Sequence, residues 1–150
     1  MSHHVNIAKL HPEAYQAMMS LSGVVETAAV ASGLDKRLIE LVKIRASQLN
    51  GCAFCLRMHT RDAIKVGETS DRLAVVAAWW ESQYFSEAER AALQLAETIT
   101  LQSDHGRLPG RDVQPSDALD DTQISAITWL VIEINAWNRV AVASHFPVAP

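Results

Sequence analysis

Both cysteines of the 150-residue chain and a histidine fall within "NGCAFCLRMH", Asn50 to His59. Two thiols three residues apart can cycle between dithiol and disulfide, a CxxC with a nearby histidine offers three metal ligands, and buried thiols can also serve as small apolar fillers. Haem attachment needs a histidine directly after the second cysteine, and Leu56 stands there. A structural zinc site needs a fourth ligand, for which only the isolated His11, His105 and His145 present themselves.

On a helix, Cys52, Cys55 and His59 occupy one stripe, at i, i+3 and i+7. Cys52 is expected in the first turn, where unpaired backbone N–H groups and the helix dipole favour a thiolate. His59 follows Cys55 by one turn. The turn at Asn50 and Gly51 predicts a hairpin of two helices that sets Glu40 against His59. Glu40 stands among Leu38, Ile39, Leu41 and Val42, an apolar setting that suits a proton acceptor. The competing reading is a solvated Glu40 paired at i+3 with Lys43. The order Glu40, His59, Cys55 is that of orienter, base and nucleophile. A second thiol at Cys52 could then condense with a sulfenic acid before it over-oxidises.

The elements that must hold these residues are legible from helix punctuation. Pro12 opens a first helix to about Val30, with Gly23 a candidate interruption, and Gly33 lies beyond its end. Asp35 caps a second, closed by Asn50 and Gly51. The third opens at the CxxC and runs to Gly67, and Ser70 with Asp71 starts a short fourth through "RLAVVAAWW". Ser86 and Glu89 form a capping box for a fifth helix to about Leu101, and Asp120 with Gln123 resembles a second box before a long final helix from about Thr122 to Ser144. Between them "QSDHGRLPGRDVQPSDA" reads as a surface connection. Alternating strand patterns are nearly absent, so the expected class is all-α, a bundle of about six helices with the CxxC at the start of the third.

Hydrophobic residues make up 49% of the chain and aromatics only 6%, which predicts a core of Ala, Val, Leu and Ile. A single domain spanning 1–150 can bury such a core without disulfide staples. The net charge of −4, with scattered Lys and Arg, leaves no footprint for nucleic acid. "WLVIEINAW" is broken by Glu133 and Asn135 and is too short to span a bilayer. The N-terminal residues lack a leader pattern, so the expected location is the cytoplasm, where a CxxC is catalytic or metal-binding more often than structural. Trp79, Trp80, Trp129 and Trp137 read as packing residues. Adjacent Trp79 and Trp80 cannot both enter one core, which frees one for a partner subunit. Arg139 is expected to pair with a buried acid such as Glu133 or to sit at a subunit contact.

The pattern E-x11-C-x2-C-x3-H, formed by Glu40, Cys52, Cys55 and His59, resembles the AhpD-like alkylhydroperoxidases of the carboxymuconolactone decarboxylase family. "INAWNRVAVASHF" is similar to that family's final helix, and the helix order agrees over nearly the whole chain. The resemblance implies a thiol peroxidase or disulfide reductase acting on alkyl hydroperoxides. Cys55 would attack the peroxide, Cys52 would resolve it as a disulfide, and Glu40 and His59 would relay protons. It implies no bound metal or organic cofactor, an external dithiol or redox protein as reductant, and homo-oligomers that are trimers or hexamers of dimers. Better-known members carry His immediately before the second cysteine, where this chain has Phe54. Two other classes remain beside this one: a decarboxylase of the wider family, which characteristically lacks the CxxC, and a redox sensor whose disulfide alters assembly.

Overall fold

The computed structural model describes residues 3–106 and 113–150, and every regular element among them is helical. They are α1 (Ile7–Leu10), α2 (Pro12–Ala31), α3 (Lys36–Asn50), α4 (Ala53–Lys65), α5 (Ser70–Val75), α6 (Glu87–Thr100) and α7 (Asp121–Ala143). Short 3-10 turns occupy Val76–Glu81, Gln102–Asp104 and Pro115–Asp117. Part of the connection before α7 lies outside the described residues.

Most boundaries follow from caps. The Asp35 carboxylate accepts the Arg37 N–H at the start of α3, and Gly51 ends that helix at φ +64°, a left-handed conformation that costs glycine little. Reciprocal capping boxes start α6, with Ser86 and Glu89, and α7, with Asp120 and Gln123. Three features differ from the expectation. The Asn6 side chain caps an additional short helix, α1, so the cysteine-bearing helix is the fourth and not the third. Helix α2 runs unbroken through Gly23, which has no neighbour demanding a bend.

The third difference is physical override of local preference. Helix α5 is capped by Thr69, not Ser70, and gives way at Val75 to a 3-10 turn with Ala78 at φ −130°, ψ 36°. Both tryptophans follow this break, with their rings edge-on to each other. Trp79 is fully buried and donates its indole N–H to Glu97 Oε1 at 2.9 Å, while Trp80 stays half-buried. Arg90 secures the turn by donating to the carbonyls of Trp79, Trp80 and Ser82 at 3.3, 3.0 and 3.0 Å.

Helix α3 is the centre of the fold. Residues Leu38 through Ser47 are all buried, because α4, α6 and α7 pack around it. One apolar cluster joins α2, α3, α6 and α7 through Val25, Ile39, Val42, Ile127 and Leu130. A second gathers Leu41, Ile44, Trp79 and Leu93. A third, built on Ala46, Ile134 and Ala141, encloses both cysteines. Among the described residues no helix is long and apolar enough to cross a membrane.

Candidate active site

Gly51 reverses the chain between α3 and α4, and the next residue, Cys52, is the N-cap of α4. Its Sγ accepts the Cys55 backbone N–H at 3.4 Å, so sulfur takes the place of the usual hydroxyl or carboxylate cap. The two thiols are free, buried and 2.6 Å apart, within reach of a disulfide without rearrangement of the backbone. Burial first, and then the contact with Cys52, pushes the Cys55 thiol up from 9.0 to about 12, against the opposing effect of the Asn138 side chain. At neutral pH Cys55 therefore rests as a thiol.

The same hairpin brings Glu40 on α3 against His59 on α4. Glu40 Oε2 lies 2.8 Å from His59 Nδ1, and each residue is only 8% exposed. A carboxylate partner selects the tautomer with the proton on Nδ1, which leaves Nε2 as the basic nitrogen. Lys43, one turn along α3, donates to Glu26 Oε2 at 2.8 Å and lies 3.9 Å from Glu40 Oε1. Burial works against its charge, but the Glu40, Glu26 and Glu133 carboxylates outweigh it and hold the ammonium above its ordinary range. Glu40 is thus buried against His59 and not solvated as the competing reading had it, although Lys43 does neighbour it.

Phe54 is half-buried and packs edge-on against Phe146, with ring centroids 5.2 Å apart, beside both cysteines. An apolar wall occupies the place of a proton-handling side chain. The opposite wall is polar and was not foreseen from the sequence. Asn50 donates to Asn135 Oδ1 and Asn138 Oδ1 at 2.9 and 2.8 Å, and Asn138 donates to Ser47 Oγ at 3.0 Å. Asn138 is 1% exposed. The signal available beforehand was two asparagines three apart in the apolar "INAWN", a spacing that puts both on one helix face.

Among the described residues, Glu40, His59 and Asp62 bring one ligand atom each within 4.8 Å of one another, a grouping a cation could use. Asp62 follows His59 by one turn and was not singled out in the sequence. The Lys43 ammonium beside Glu40 opposes a second positive charge there. The expectation for Arg139 also changes. It is exposed and its Nη1 donates to Asn135 O and Oδ1 at 2.9 and 3.0 Å. Glu133 instead accepts from Ser22 Oγ at 2.6 Å, a hydroxyl that in turn receives the Trp137 indole N–H at 2.8 Å. The spacing of the two residues, six apart, puts them on different faces of α7.

Residues 12–98 match the model of the carboxymuconolactone decarboxylase family. The chain is 37% identical over 149 residues to the uncharacterized protein YdfG of Bacillus subtilis (strain 168), covering 95% of each chain. It is 36% identical over 70 residues to the uncharacterized protein YnjA of Escherichia coli (strain K12), an alignment covering 47% of this chain and 38% of that one. A crystal structure from Agrobacterium tumefaciens, of a "Protein of Unknown Function" also described as "Putative Antioxidant Defence Protein AhpD", superposes with a TM-score of 0.84 at 35% identity, covering 99% of this chain and all of that one. Family match, full-length relative and superposition agree with the geometry of the hairpin: the chain is an AhpD-like member of the carboxymuconolactone decarboxylase family.

Proposed function

We propose that the protein is a thiol-dependent peroxidase that reduces alkyl hydroperoxides through Cys52 and Cys55. The carrying observation is the buried thiol pair at the start of α4 with the Glu40–His59 hydrogen bond on the same hairpin. Because Cys55 rests protonated, it needs a base at the moment of reaction, and His59 Nε2 fills that role while Glu40 orients the ring and offsets the charge that develops on it. The thiolate attacks one peroxide oxygen, the O–O bond breaks, and the alcohol leaves with a proton. Cys52 then attacks the sulfenic acid sulfur, water leaves, and the disulfide forms. An external dithiol or redox protein returns two electrons and two protons. His59 makes no direct hydrogen bond to either sulfur among the described residues, so a water or a small ring movement completes the transfer.

Homo-oligomeric assembly belongs to the same proposal. It is supported by an apolar strip on α2 and α7, where Val24 is 69% exposed and Trp129 50% exposed. The decisive measurement is peroxide consumption with a panel of dithiol donors, run beside native mass with and without reductant. Sustained turnover supports the peroxidase. A mass change without turnover replaces it with a redox sensor.

A further inference from the structure

Arg139 is the functional surplus of the site. It sits on α7 directly after Asn138, is exposed, and has no carboxylate partner among the described residues. Among the described residues only Nη1 is engaged, on Asn135, which leaves Nε and Nη2 open there in the fork that suits a carboxylate. Arg45 and Arg72, by contrast, each close on a carboxylate.

The guanidinium borders a cleft of about 350 Å³ lined by Asn50, Asn138, Arg139, Val142 and Ala143. Its lining holds one cation, two amides, two apolar side chains and no acid. On a chain of net charge −4 that is a local reversal of sign. The cleft also adjoins the thiol pair, since Asn138 lines it and its side chain also bears on Cys55, while Asn50 lies two residues before Cys52.

We infer that this cleft binds a small organic anion, with the carboxylate on Arg139, the aliphatic part on Val142 and Ala143, and the reactive end toward Asn138. The substrate class is then a carboxylate-bearing hydroperoxide. That last step rests on the peroxidase reading, whereas anion binding at Arg139 does not. Asn50 and Asn138, hydrogen-bonded to each other at 2.8 Å, are the polar groups where the cleft adjoins the thiols.

The test compares iodoacetate with iodoacetamide, two alkylating reagents that differ in charge, on the reduced protein. The ratio of the two rates should fall about tenfold in Arg139→Gln and persist in Arg139→Lys, because local charge concentrates an anionic reactant. Arg61→Gln, on an exposed face of α4, controls for net charge and should leave the ratio unchanged. Octanoate titrated calorimetrically should bind the wild type and not Arg139→Gln, with octanol giving no heat in either. An unchanged ratio in Arg139→Gln, or octanoate binding that survives that substitution, overturns the proposal. The two readings fail separately. Absence of peroxide turnover with the Arg139 effects intact removes the peroxidase and leaves the anion cleft, while turnover without those effects removes the cleft alone.

Discussion

Helix α3 contributes one member to each of two buried acid–base pairs, and the pairs behave differently because their bases differ. Arg45 Nε meets Glu97 Oε1 at 2.8 Å, with side chains 8% and 0% exposed. Trp79 adds a second donor to the same oxygen. Arginine does not release its proton under any physiological condition, so this pair is a fixed joint between α3 and α6. Glu40 and His59 are equally close and almost as buried. Histidine, unlike arginine, can serve as a base, so that pair is the one proposed to take part in chemistry. Burial alone therefore does not separate the two pairs; the chemistry open to the base does.

The sharpest way to break this comparison is to remove the thiols that the second pair is proposed to serve. Cys55→Ser should abolish peroxide reduction entirely. Cys52→Ser should allow at most one turnover and leave a sulfenic acid that dimedone traps. Multiple turnovers by Cys55→Ser would sink the assignment.

Next in size is the fixed joint. Glu97→Ala leaves Arg45 buried without its partner, and urea unfolding should show a loss of about 3–5 kcal/mol. The thiol alkylation rate of the folded protein should stay within about twofold, as a joint without a chemical role requires. A large change in that rate would blur the two pairs into one. Glu40→Gln should do the reverse. Peroxide reduction should fall by about a hundredfold, the scale of a lost proton relay, while the melting temperature shifts by only a few degrees. An unchanged rate–pH profile for thiol alkylation would remove Glu40 from the relay.

The last effect concerns pH. The Cys55 thiol titrates at about 12 when folded and near 9.0 when exposed, so the folded state holds its proton more tightly. That contribution to stability is complete below pH 9.0 and is lost as pH rises toward about 12. The melting temperature of the reduced protein should fall over that window, and less steeply in Cys55→Ala. Equal slopes would contradict the burial assigned to the thiol.

These tests bear on a site of which roughly half could be read in advance. Glu40 and His59 are nineteen residues apart and joined by one tight turn, so hairpin geometry reaches them without tertiary information. Caps did the same for α3, α6 and α7, since a cap is a contact within one turn. Asn138 lies 88 residues from Asn50, and its role exists only once α7 packs against α3. Lys43 reaches Glu26 across α2 for the same reason. The break at Ala78 was likewise illegible, because local propensity favours helix there and the burial of Trp79 against Glu97 decides otherwise. The pairing of Arg139 with Glu133, by contrast, could have been set aside beforehand, since a spacing of six puts the two on different faces of one helix.

The sulfur cap of α4 has a consequence of its own. Helices ordinarily begin on a capping oxygen, but here the capping atom is a thiol sulfur, which can be oxidised. Oxidation to a disulfide removes the capacity for negative charge from Cys52 and weakens its attraction for the first N–H groups. If the pair cycles as proposed, its oxidation state would be written into the firmness of the helix start. Amide exchange at Cys55 would then report that state without any substrate present.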